Sequence, residues 1–224
     1  MGRGRRECHP CTGNRDVSMA QIPKKIQKFL EELARDNIVP MAKWPEEKQK
    51  AYEEKLTRDE EPLVKALEKV GVSVSSVWDL VNTSVPYPAA LPVLIEHLSG
   101  NYHPKTLAGI ARALAVRDPF AIEHAWPVAL DLFLRTKADE LVQEPEMRGF
   151  KEGLAVALSA LCTEERLPQV FDLIRDPRHG GGRAPLIHGL RRFRKNEEAK
   201  KFLEILSNDP YWGDLARKIL KGRR

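Results

Sequence analysis

Four eight-residue segments of this chain align without a gap: LPVLIEHL (Leu91–Leu98), WPVALDLF (Trp126–Phe133), LPQVFDLI (Leu167–Ile174) and AKKFLEIL (Ala199–Leu206). The first three carry proline second, at Pro92, Pro127 and Pro168. All four carry an acid sixth, at Glu96, Asp131, Asp172 and Glu204, and apolar residues fifth and eighth. Proline is tolerated in a first helical turn, whose amides have no intrahelical partner anyway. Each segment therefore reads as a helix. Each is followed by a second periodic stretch: GIARAL (Gly109–Leu114), GLAVAL (Gly153–Leu158), GLRRFR (Gly189–Arg194) and DLARKI (Asp214–Ile219). The shared acid recurs at spacings of 35, 41 and 32 residues. Paired helices at such a period cannot bury their apolar faces alone, so neighbouring pairs must stack. Small residues at Gly109, Ala111, Gly153, Ala155 and Ala216 suit close helix approach. No β-hairpin signal interrupts the pattern, and the expected fold class is all-α.

Helix pairs of this length, with Pro and Asp-Pro in their turns, resemble HEAT-like repeats over roughly residues 85–221. The resemblance implies a right-handed α-solenoid of about four helical pairs preceded by N-terminal helices. It also implies that the second helices line a concave binding face. The repeat region is placed at residues 85–224 and an N-terminal helical or capping region at residues 21–84. In that region IPKKIQKFLEELARDN aligns Ile22, Ile26, Phe29, Leu30 and Leu33 on one face. WPEEKQKAYEEKLTRDE reads as a charged, solvated connector, and EPLVKALEKVG as a helix capped at Gly71. A short helix follows, with Ser75 or Ser76 as its N-cap. Residues 1–20 read as a basic leader too polar to fold by itself.

Sequence signatures of catalysis are missing. The chain has no nucleotide-binding glycine loop ending in Lys-Ser/Thr, no HExxH and no GxSxG. The three cysteines, Cys8, Cys11 and Cys162, are too few for a disulfide framework and fit a reducing cytosol. The Cys8–Cys11 CxxC stands alone. None of His9, His97, His103, His124, His179 and His188 has a Cys or carboxylate at metal-site spacing. His97 and His124 are expected to be exposed or to cap helices. Neither metal nor cofactor is expected. No apolar run reaches the ~20 residues that cross a bilayer, so no membrane partner is expected. The recurring acids form a row and do not converge, so they read as structural.

Charge is uneven. Residues 175–224 carry 14 Lys/Arg against 6 Asp/Glu, beside an acidic middle of 17 against 24. The candidate partner-binding face comprises Arg112, Arg183, His188, Arg191, Arg192, Arg194, Lys195 and Arg217. In the aligned second helices Arg112, Arg192 and Arg217 share one register position, interrupted by Val156. Arg191 stands where the other pairs have Ala111, Ala155 and Ala216. Such a row suits either a macromolecular protein partner or a phosphate backbone. The stretch RDPRHGGGRAP is placed in the turn between the two helices of the third pair, where glycine is needed for the turn itself. The first expectation is a non-enzymatic, cytoplasmic binding module, an adaptor or an immunity-type scaffold. The alternative is a nucleic-acid-binding protein. Its remote extension is an enzyme similar to the HEAT-like alkylpurine DNA glycosylases, for which Trp78 with Asp79 and Trp126 with Asp131 are the available equivalents. Adjacent residues and residues five apart do not share a helix face, which departs from that family's pattern.

Overall fold

A computed structural model describes residues 45–136 and 145–222. All regular structure among them is helical. The α-helices are α1 (Glu46–Lys69), α2 (Val77–Asn82), α3 (Leu91–Leu98), α4 (Pro104–Ala113), α5 (Pro119–Arg135), α6 (Pro145–Leu161), α7 (Leu167–Arg175), α8 (Arg183–Gly189), α9 (Glu197–Leu206) and α10 (Gly213–Leu220). Short 3-10 turns cover Pro88–Ala90, Glu164–Arg166, Pro177–Gly182 and Leu190–Phe193. Residues 52–224 form one compact unit. The other unit is described only at residues 45–51, the beginning of α1. The leader at residues 1–20 and the amphipathic segment from Ile22 lie outside the described residues.

Three helix starts and the turn before α10 are closed by a short polar side chain, in two of these cases followed by proline. Asp118 Oδ1 accepts the amides of Phe120 and Ala121 (2.8 and 3.3 Å) ahead of Pro119. Asn196 Oδ1 accepts those of Glu198 and Ala199, and Asp209 Oδ1 those of Tyr211 and Trp212. Ser76 caps α2, and Asp79 returns the bond to the Ser76 amide in a capping box. Each cap satisfies amides that the helix leaves open and contributes about 1 kcal/mol. Gly71, at φ +80°, ends α1 in the left-handed region expected of it.

Packing joins the pairs in two ways. Within pairs, α3 packs on α4, α5 on α6, α7 on α8 and α9 on α10. Between pairs, the even-numbered helices form a continuous row, α2–α4–α6–α8–α10. On the other side α3 meets α5, and the Phe171 and Phe202 rings of α7 and α9 stack at 4.3 Å. The row is tight because the facing residues are small. Ala108, Ala111, Ala155 and Ala216 are buried. A Cβ on Gly153 would lie 3.0 Å from the Ala108 carbonyl oxygen, and one on Gly109 2.5 Å from Val77 Cγ1.

Three expectations need correction. The charged stretch from Glu46 is largely exposed, as read, but it is not a separate connector. It runs unbroken into EPLVKALEKV as α1, with Pro62 inside the helix. Glu60 is buried and accepts the Val77 amide, and Asp59 accepts the His103 amide and the Thr106 hydroxyl (2.9 and 2.7 Å). These long-range acceptors hold the charged helix on the body. Second, α5 does not begin at Trp126. The stronger cap, Asp118–Pro119, starts it seven residues earlier and leaves Pro127 inside the helix. Third, the second helix of the third pair is α8, which ends where GLRRFR begins; that stretch continues as a 3-10 turn. The glycine run does sit between α7 and α8. It forms a 3-10 turn broken at Gly180, whose φ of +52° suits glycine.

Candidate binding face

Of the residues singled out by sequence, His188 borders a groove on the even-numbered row. Val156 and Ser159 of α6 line this shallow groove of about 590 Å³ with Ala184, Pro185 and His188 of α8. The groove is largely apolar because α8 presents small residues there. His188 is exposed at its edge. Arg112 is partly exposed, with Glu152 Oε2 at 4.0 Å.

Three of the other arginines donate to main-chain carbonyls, Arg183 and Arg192 from half-buried positions and Arg217 from an exposed one. Arg192 donates from Nη1 to the Ala160 carbonyl (2.9 Å) and from Nη2 to that of Cys162. These carbonyls end α6, where helix geometry leaves oxygens without partners and the dipole favours a cation. Burial pushes the Arg192 pKa down, against the opposing pull of Cys162. Arg183 donates to the Ile174 carbonyl at the end of α7 and to the Gly180 carbonyl in the turn that follows (3.3 and 3.1 Å), and lies over the Trp212 ring. Arg217 donates to the Ser207 carbonyl at the end of α9 and to Asp214. Arg191 is half-buried. Arg194 and Lys195 are exposed and make no ion pair among the described residues.

Arg112, Arg192 and Arg217 therefore do not form a helical register row. Arg192 lies in the 3-10 turn after α8, and its guanidinium reaches back to the preceding pair. Sequence reasoning missed a fourth arginine of this kind, Arg166. It bonds the Ile122 and Leu161 carbonyls (2.7 and 3.2 Å) and covers the Trp126 ring at 4.8 Å. Its available signal was its position five residues past the last apolar residue of α6.

The remaining candidates have structural partners. Asp79 accepts the Ser75 and Ser76 amides, Trp126 is buried, and Asp131 pairs with Arg135 at 2.9 Å. Asp172 pairs with Arg175 (2.9 Å), while Glu96 and Glu204 are exposed. His97 Nδ1 meets the Tyr102 hydroxyl at 2.5 Å, and His124 is exposed against the Phe120 ring. Cys162 is buried, and burial pushes its thiol pKa up. Cys8, Cys11 and His9 lie outside the described residues.

His179 is the buried polar residue that periodicity did not reveal. It is 5% exposed, with its ring 4.7 Å from Phe133 and Nε2 3.7 Å from Asp176 Oδ2. Burial and the nearby Lys151 ammonium hold its pKa below the ordinary value. Lys151 is itself buried, donates to the Thr136 carbonyl and lies 4.8 Å over Phe133. Hydrogen bonds from Arg178 hold the Asp176 carboxyl far below the usual carboxylate range.

Among the described residues no group of three or more His, Cys, Asp or Glu is placed to hold a metal ion. None of their helices is long and apolar enough to cross a membrane. Compared with known proteins, the chain matches no family model, no curated sequence and no solved structure.

Proposed function

We propose that this chain is a non-enzymatic protein-binding module, an adaptor or immunity-type scaffold built as a right-handed α-solenoid of HEAT-like pairs. The continuous packing of α2, α4, α6, α8 and α10 supports the solenoid reading, because a stack of repeats makes each pair touch its neighbours. One observation carries the choice of a protein partner. The accessible groove between α6 and α8 is lined mainly by small and apolar side chains, while Arg183, Arg192 and Arg217 are held by main-chain carbonyls. A phosphate backbone needs unengaged cations in a row, and a protein partner needs a desolvatable apolar surface.

The test is capture from native cell extract by the immobilised full chain, with and without nuclease, beside the groove variant Ala184→Arg. The expected result is a partner that survives nuclease and is lost with Ala184→Arg, while the variant keeps its helical circular dichroism. Capture that nuclease abolishes would refute the reading. The nucleic-acid alternative keeps one observation in its favour, the exposed pair Arg194 and Lys195. It requires that reversing charge at Arg191, Arg192 and Arg194 removes a salt-sensitive affinity for DNA or RNA.

A further inference from the structure

A second cavity, of about 480 Å³, opens at the first repeat rather than between α6 and α8. Its apolar wall is made by Leu80 and Val81 of α2, Leu91 of α3, and Val116 beyond α4. The Tyr87 hydroxyl donates to the Ala113 carbonyl (2.8 Å), so this residue offers the cavity mainly its ring. Burial pushes the Tyr87 pKa up. Val85 stands at the rim, 68% exposed.

The mouth carries two cations and one carboxylate. Arg112 and Arg117 both line it, and Arg117 is exposed without an ion pair among the described residues. Arg112 has only the 4.0 Å approach of Glu152. The one carboxylate in the lining, Asp118, is turned to the Phe120 and Ala121 amides as the cap of α5. It keeps its negative charge there, so the two arginines leave the mouth net positive rather than purely cationic. An apolar floor under two cations fits an apolar group carrying a carboxylate. The volume is that of a small ligand site, room for a few side chains.

One wall is also main chain that a peptide can read. Thr83, at φ −87° and ψ 149°, leaves α2 extended, and residues 84–87 form an irregular connector with a bend at Val85 before the turn at Pro88–Ala90. Prolines at Pro86 and Pro88 keep this segment from joining either helix. The carbonyls of Ser84 and Val85 accept no main-chain hydrogen bond among the described residues. Open main-chain acceptors beside an apolar floor give a linear peptide hydrogen-bonding sites.

We infer that the cavity bounded by Leu80, Val81, Val116, Arg112 and Arg117 binds a short acidic–apolar peptide segment of a partner protein, with an aliphatic or aromatic side chain on the floor and a carboxylate between the arginines. The inference rests on the protein-binding reading and adds a second contact site to it, with its own chemistry. Fluorescence anisotropy of the full chain tests it with three labelled peptides: Asp-Leu-Phe-Glu-Leu, the same peptide with Lys for both acids, and one with Ser for the three apolar residues. Only the first is expected to bind. Arg117→Glu is expected to weaken it about tenfold or more. Val85→Asp, an exposed loop change that leaves the core alone, is expected to weaken it too. Ala184→Arg is expected to leave it unchanged. Equal binding of the lysine peptide, or insensitivity to both Arg117→Glu and Val85→Asp, overturns the assignment. So does an absence of peptide binding, or preferential binding of a labelled single-stranded oligonucleotide that Arg117→Glu abolishes. If the peptide fails while nuclease-resistant capture still depends on Ala184, this inference falls and the protein-binding reading stands.

Discussion

Replacing Arg192 by alanine separates a structural cation from a binding one. In the folded chain its guanidinium closes the end of α6 through the Ala160 and Cys162 carbonyls. Deleting it leaves both oxygens without that partner in a half-buried position. A hydrogen bond to a charged donor contributes about 1.5–3 kcal/mol, less where water can replace it. Two such bonds at an intermediate depth give an expected loss of about 2–3 kcal/mol. For a unit of this size that is roughly 5–10 °C in Tm, at about 2–4 °C per kcal/mol. Urea unfolding followed by circular dichroism at 222 nm measures it. Arg192→Lys, which supplies one point charge in place of a planar fork, should recover only part of the loss. The control is Arg194→Ala two residues on, exposed and without an ion pair among the described residues, which should move stability by no more than about 0.5 kcal/mol. If Arg192→Ala and Arg194→Ala were equally benign, and both weakened partner capture, the assignment of Arg192 to the frame of the molecule would be wrong.

Two other outcomes are expected. Gly109→Ala should destabilise by about 1–3 kcal/mol even though alanine is the better helix former by about 1 kcal/mol, because its Cβ would lie 2.5 Å from Val77 Cγ1 and push α2 off α4; a stabilised variant in thermal melts would refute that close approach. Because the pKa of His179 is lowered on folding, its contribution is complete above the unfolded value of about 6.5 and is lost as pH falls through the depressed folded value. The groups facing it are Lys151, Asp176, Arg178 and Arg183. Urea midpoints should therefore decline from pH 7 to pH 5, and His179→Phe should flatten that decline; an unchanged slope in the variant would exclude His179 as its source. Asp176, with its pKa depressed, adds stability that is lost only at still lower pH, below the usual carboxylate value.

The features legible in the sequence are the local ones. All the paired segments but GLRRFR lie within helices to a residue, though not always at their starts, and Ser76 and Gly71 cap where their chemistry says they should. Gly109, Gly153, Ala111 and Ala155 lie at close packing points as expected of small residues. The errors arose where a weaker local signal was preferred to a stronger one, or where a distant partner decides. Trp126–Pro127 resembled a helix start, yet Asp118–Pro119 brings a carboxylate to two open amides and wins. The charge of α1 suggested solvent, but Asp59 and Glu60 meet groups 17 to 47 residues away. The arginine cluster suggested a ligand for the same reason: nothing in the local pattern of Arg192 shows that carbonyls 30 and 32 residues earlier are its acceptors. His179 was hidden in a turn, because periodicity reports helix faces and says nothing of side chains in connectors. The cavity at Arg117 joins segments from α2 to the start of α5, none of which carries a motif.

The arginines that reach back also give the chain a direction in time. The end of α6 acquires Arg166 five residues past Leu161, but Arg192 only after about thirty more residues have followed. The end of α9 likewise waits for Arg217. During synthesis α6 therefore emerges with a terminus that the following pair completes and α9 with one that its own partner α10 completes, and a chain halted between α7 and α8 would hold α6 with the Ala160 and Cys162 carbonyls still lacking Arg192. Arg192 thus acts on α6 as a latch that can close only after α8 has been released.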